Sequence, residues 1–131
     1  DIAILAVGSM VNYAEKAVAI LKENGISSEL INMRFIKPLD TQLLDEIALK
    51  HEKVVTIEEN SLPGGFGSAV IEYFNDKNYK NDILRIGIPD KFIDHGTQAE
   101  LHKQISIDPA GIVSQITTFF KQTKSTEKVT Y

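Results

Sequence analysis

At 131 residues, with 43% hydrophobic and 24% charged side chains, the chain has the length and balance of one globular domain. It contains no cysteine, which excludes a disulfide framework and a thiolate metal site and fits a reducing, cytoplasmic setting. Its net charge of −4 offers no basic face to nucleic acid or an anionic membrane, and no apolar run approaches the roughly 20 residues of a bilayer span.

The chain opens on IAILAV, Ile2 to Val7, continuously apolar as expected of a parallel strand buried on both faces. The opening lacks the basic flank of a signal peptide, and its immediate start on a strand reads as a domain cut at its front. From Val11 to Asn24, Val11, Ala14, Ala17, Val18 and Leu21 recur at helical steps, with Ser9 as the expected N-cap and Gly25 beyond the end. SELINM, Ser28 to Met33, reads as the second strand. Asp40 then caps a helix whose stripe is Leu43, Leu44, Ile47 and Ala48, with Lys50 and His51 near its negative end. KVVTIE, Lys53 to Glu58, gives a third strand, and Ser68 to Phe74 a helix presenting Val70, Ile71 and Phe74. DILRIGI, Asp82 to Ile88, is the fourth strand. Two helices follow, over Thr97 to Gln104 with a capping box and over Pro109 to Gln122 behind Asp108. Alternating strands and helices predict a parallel sheet covered on both faces. One domain is expected over residues 1–123, with residues 124–131 as a flexible tail.

The candidate chemistry centres on IEENSLPGGFGSAV, Ile57 to Val70. Gly64, Gly65 and Gly67 stand between a strand and a helix, where an anion often binds. Neither G-x-G-x-x-G nor the G-K-[ST] ending is present, and Glu58 and Glu59 would repel a phosphate. The glycines therefore read as structural, through left-handed backbone or close helix–strand approach. Neighbours on one strand point to opposite faces, so Glu58 and Glu59 do not form a facing acid–base pair; at least one should accept N–H bonds from the glycine turn.

No histidine spacing suggests zinc among His51, His95 and His102. His51 reads as a surface residue at a helix end, whereas His95 follows the fourth strand, on the side where open parallel sheets bind ligands. Arg34 and Lys37 follow the second strand and could meet a carboxylate or phosphate, or merely pair with surface acids. Ser68, in G-F-G-S-A, is not in a nucleophile elbow.

Three segments taken together, INMRFIKPLD, VVTIEENSLPGGFGSAV and IGIPDKFIDHGTQAEL, resemble the C-terminal domain of the transketolase-like thiamine-diphosphate enzymes. The last segment is most similar to the branch that makes 1-deoxy-D-xylulose 5-phosphate; the first two also look like beta subunits of the 2-oxo acid dehydrogenases. The resemblance covers Asp1 to about Lys121. It implies a three-layer α/β/α unit with a mostly parallel sheet, whose first, antiparallel edge strand would lie upstream of Asp1. Loss of that strand would leave a sticky sheet edge. It further implies a homodimeric transferase that condenses pyruvate with glyceraldehyde 3-phosphate, releasing carbon dioxide, in isoprenoid and thiamine biosynthesis. Thiamine diphosphate and Mg2+ would be held by upstream domains of the same chain, leaving dimerisation and structural support to this one. Arg34, Glu59, Asp90 and His95 stand where the family motifs match, without an assigned catalytic step, and Glu58, Gly64, Gly65 and Gly67 fall in the same class of support residues. A freestanding anion-binding module is the alternative from a different functional class.

Overall fold

Every residue of the first strand, β1 (Ile2–Ala6), is fully buried, as its unbroken apolar run requires. The structure is a computed structural model and describes residues 2–33, 39–61, 65–88 and 107–122. After β1 come α1 (Met10–Glu23), β2 (Ser28–Asn32), α2 (Thr41–Lys50), β3 (Lys53–Ser61), α3 (Phe66–Asp76), β4 (Asp82–Ile88) and α4 (Pro109–Lys121). The strands form one sheet in the order β2-β1-β3-β4, with all three pairings parallel. The most apolar strand therefore sits inside the sheet, while β2, none of whose residues is fully buried, lies at an edge.

The two-residue alternation of β1 feeds two cores. Ile2, Ile4 and Ala6 pack with Met10, Ala14, Ala17 and Leu21 of α1 and with Ile112, Ile116 and Phe119 of α4. Ala3 and Leu5 face the other way, toward Leu44 and Ile47 of α2 and Phe66, Val70 and Phe74 of α3. The result is the expected α/β/α sandwich with a parallel sheet at its centre.

Local signals explain most helix ends. Asp40 accepts the Leu43 amide at 3.1 Å, and Asp108 accepts the Gly111 amide at 2.9 Å with Pro109 at the first helical position. Gly25, at φ +83°, ends α1: its N–H reaches the Lys22 carbonyl at 3.1 Å and the Ile26 N–H reaches that of Leu21 at 2.8 Å.

Some boundaries differ from expectation. Ser9 has helical backbone angles and makes no capping bond to α1, because its hydroxyl points to another element. β3 continues three residues past Glu58, since its pairing with β4 resumes at Ser61. α3 begins at Phe66, two residues before Ser68, its first turn being held by a side chain from β3. Gly65 (φ −86°) and the helical Gly67 do not use left-handed backbone, in contrast to Gly8 and Gly25. The expected helix over Thr97 to Gln104 and the tail over residues 124–131 lie outside the described residues.

Candidate functional site

The carboxyl end of β3 carries the acidic pair into two environments. Glu58 shares a face with Val54 and Thr56 and turns toward α3. It is fully buried: Oε1 accepts the Phe66 N–H and Oε2 the Gly67 N–H, each at 2.7 Å. Gly65, the N-cap residue of α3, has no side chain to cap the helix. Glu58 thus caps it from a distance, bringing a carboxylate to the positive end of the helix dipole through two charge-assisted bonds. Glu59, half-buried, points to the opposite face, where its Oε1 accepts the Ser9 hydroxyl at 2.9 Å. The end of β3 is thereby fastened to α3 on one side and to the start of α1 on the other.

Beneath the first turn of α3 the packing is tight. A Cβ on Gly67 would lie 2.7 Å from Thr56 Oγ1 and 2.9 Å from Arg85 Cδ. Thr56 and Arg85 are register partners on β3 and β4, so both project against the helix at the same level. Arg85 Nη1 donates to Ser68 Oγ at 2.8 Å. Gly67 is therefore the residue that admits close helix–strand contact. Ser9, Thr56, Arg85 and Ser68 complete the cluster, and only their neighbours in three dimensions, not their spacing, reveal it.

Chemically this arrangement is a brace. Both Glu58 oxygens are engaged by backbone amides, which leaves the carboxylate poorly placed as a general base. The same two amides are the ones a diphosphate would need at this helix start, and an anion already holds them. Among the described residues, no group of three or more His, Asp or Glu side chains could hold a metal ion. The described residues do not fit thiamine diphosphate and Mg2+. Gly64, Arg34, Lys37, Asp90, His95 and His102 lie outside the described residues.

His51 departs from the expected surface role. It is buried, with Nε2 2.7 Å from Glu29 Oε1 on β2, and Lys50 Nζ lies 3.4 Å from the same oxygen. The hydrogen bond to His51 is the main cause holding the Glu29 carboxyl below its ordinary value, with Lys50 adding to it. On α2, Asp45 accepts hydrogen bonds from Tyr79 (2.6 Å) and Tyr73 (2.7 Å), joining it to α3 and the segment beyond. Those bonds lower the Asp45 pKa and, through the same carboxylate, raise Tyr79 to about 12.

With this geometry in place, likeness to known proteins becomes specific. The chain is 44% identical over 116 residues to 1-deoxy-D-xylulose-5-phosphate synthase of Cytophaga hutchinsonii, covering 88% of this chain and 18% of that protein. The enzyme of the same name from Prochlorococcus marinus is 47% identical over 120 residues, covering 92% and 19%. The chain thus spans less than a fifth of the length of either relative. A solved split-gene transketolase, described as an inactive beta4 tetramer, aligns with a TM-score of 0.83 and 32% identity over 90% of this chain and 38% of that one. Transketolase from Campylobacter jejuni, at 16% identity and a TM-score of 0.61 over 89% of this chain and 16% of that one, shares the fold. Residues 1–112 match the family described as transketolase, C-terminal domain, and the chain belongs to that family.

Proposed function

We propose that this chain is the C-terminal supporting domain of a thiamine-diphosphate-dependent transferase that condenses pyruvate with glyceraldehyde 3-phosphate, releasing carbon dioxide, to give 1-deoxy-D-xylulose 5-phosphate. The synthase name shared by the relatives supports the reaction assigned to the whole enzyme. The observation that carries the supporting role is Glu58. Its carboxylate holds the amides at the start of α3, so this helix braces the sheet and binds no phosphate. On this reading thiamine diphosphate and Mg2+ belong to upstream domains, the working enzyme is a cytoplasmic homodimer, and Arg34, Asp90 and His95 support the active site without reacting. The domain spans residues 1–123, with 124–131 as a tail.

A domain exchange tests the proposal. These residues are grafted in place of the matching region of the Prochlorococcus marinus relative, and product is assayed from pyruvate and glyceraldehyde 3-phosphate with thiamine diphosphate and Mg2+. The chimera should make 1-deoxy-D-xylulose 5-phosphate, whereas the 131-residue chain alone should bind no thiamine diphosphate in a calorimetric titration. Turnover by the chain alone would refute the supporting role. A folded, dimeric but inactive chimera would refute the assignment to this enzyme.

A further inference from the structure

The last turn of α1 runs into Asn24 and Gly25, and both residues are exposed. Gly25 holds φ +83°, and a Cβ placed on it would meet nothing within 4 Å. It also lines a cavity of about 510 Å³ together with Lys22 and Ser27, so the turn is open to solvent. The amide carbon of an asparagine side chain can be attacked by the backbone nitrogen of the next residue, because the new bond closes a five-membered ring. A side chain on that next residue crowds the closure, and glycine has none.

Two hydrogen bonds hold the reacting nitrogen in place. The Gly25 N–H donates to the Lys22 carbonyl at 3.1 Å, and the Ile26 N–H to the Leu21 carbonyl at 2.8 Å. With Asn24 at φ −91° and ψ 10°, the Gly25 nitrogen must swing about the Asn24 Cα–C bond to reach the side chain, which breaks the first of these bonds. Ile26 is buried and anchors the far side of the turn. Helix ends open at far lower free energy than the core, so this last turn is a gate and not a block. The sequence holds six other asparagines, none of them followed by glycine. Asn12, Asn32, Asn60 and Asn75 lie within helices or strands, and the Asn81 side chain donates to the Ala48 and His51 carbonyls. Asn78 precedes Tyr79, whose N–H is fixed to the Phe74 carbonyl at 2.9 Å.

We propose that Asn24–Gly25 is a site of spontaneous deamidation in the folded protein, gated by opening of the last turn of α1. The Gly25 nitrogen, having given its proton to hydroxide, attacks Asn24 Cγ. The new C–N bond closes a succinimide, and the side-chain nitrogen leaves as ammonia after taking a proton from water. Water then opens the ring at either carbonyl, leaving aspartate or isoaspartate at position 24. One water is consumed and one ammonia is released; nothing is oxidised or reduced. Either product adds a negative charge beside Glu23, at the negative end of the helix dipole. Isoaspartate also carries the backbone through one extra carbon, which pulls the Gly25 and Ile26 N–H groups off their carbonyls. The change reaches β1, because Ser27 accepts the Ile2 N–H at 3.3 Å. The modification thus loosens the junction of α1 with β1 and β2 as the protein ages.

The test incubates the full-length polypeptide carrying this domain beside a synthetic peptide of residues 19–29, in neutral and mildly alkaline buffer, and follows both by peptide mapping and mass spectrometry. The fragment containing Asn24 should gain one mass unit ahead of every other asparagine, as a mixture of aspartate and isoaspartate, and faster in the alkaline buffer. In the folded protein the rate should be about tenfold below that of the peptide, the factor for a turn whose opening costs about 1.4 kcal/mol. Asn24→Gln, at an exposed helix end, should keep the fold and show no conversion, since its side chain can close only a six-membered ring. Urea below the unfolding transition should leave the rate unchanged, because opening one turn exposes little surface. Conversion of the peptide with none in the folded protein would overturn the inference, as would conversion that begins at another asparagine. Aspartate without isoaspartate would replace ring closure by direct hydrolysis. A rate that climbs in urea in step with the fall in global stability would assign the reaction to the unfolded chain and remove the gate.

Discussion

Glu58 and Gly67 are joined across the boundary between sheet and helix by a 2.7 Å hydrogen bond, and the other Glu58 oxygen holds the adjacent Phe66 amide at the same distance. The carboxylate is fully buried, so its charge is offset locally by these N–H groups and the helix dipole. Glu58→Gln supplies one carbonyl for two amides and turns its own NH2 toward an N–H donor. We expect a loss of about 2–3 kcal/mol in urea unfolding, the range for a charged bond removed with its partner left buried. A loss under about 0.5 kcal/mol, the usual size of a surface effect, would show that α3 is held by other means.

Gly67→Ala tests the close approach beneath the same turn. The new methyl would sit 2.7 Å from Thr56 Oγ1 and 2.9 Å from Arg85 Cδ, so strand and helix must separate or side chains must shift. Overpacking of this kind costs about 1–3 kcal/mol. Thr56→Ala removes the nearer obstacle, and Thr56 Oγ1 is buried with no partner among the described residues, so no hydrogen bond seen there is lost with it. The double variant should be more stable than Gly67→Ala alone. Strict additivity of the two unfolding free energies would disprove the clash.

The contrast between what was legible and what was not follows the range of the interactions. The apolar run of β1, the Asp40 and Asp108 caps and the Gly25 stop are local, and each lies where its residues indicate. Alternation also separates Glu58 from Glu59 onto opposite faces. Which of them is buried depends on α3, whose start at Phe66 is obscured by a glycine in its first turn. Ser9 looks like a cap until Glu59, fifty residues away, takes its hydroxyl. His51 looks like a surface residue because Glu29, its partner, lies on a strand 22 residues earlier in the chain. The brace was thus partly visible as a motif, and its connections were not.

The shared bonds of Asp45 give α2 and α3 a joint that fails at both extremes of pH. The folded pKa of Tyr79 is raised from 10.0 to about 12, chiefly by its hydrogen bond to Asp45. A raised value favours the protonated phenol in the folded state, so this contribution is complete below pH 10 and disappears as pH rises toward 12. The Asp45 pKa is lowered from 3.8, so its contribution is present above that value and is lost as pH falls through the folded pKa. Tyr79→Phe should be less stable than the parent at neutral pH, and the gap should narrow between pH 10 and 12. Urea midpoints for both proteins across that window provide the check; a constant gap would exclude the Tyr79–Asp45 bond as the cause.

At the β2 edge of the sheet, Glu29 fastens the strand to the end of α2 through His51 and Lys50. Its pKa is lowered from 4.5, first by the His51 hydrogen bond, so the carboxylate form is the one the fold prefers. Stability from this group is therefore present above pH 4.5 and drains away as pH falls through the depressed folded value. Glu29→Gln keeps the side-chain shape and removes the charge. It should unfold earlier in urea than the parent at neutral pH, and the two midpoints should converge as Glu29 becomes protonated in the parent. Because the Glu29 side chain is 45% exposed, the neutral-pH difference should be modest, and added salt should shrink it by screening the Lys50 contact. The His51 bond is short and its ring is buried, so part of the difference should persist in high salt. Complete loss of the difference in salt would assign the clasp to Lys50 alone and remove His51 from the account.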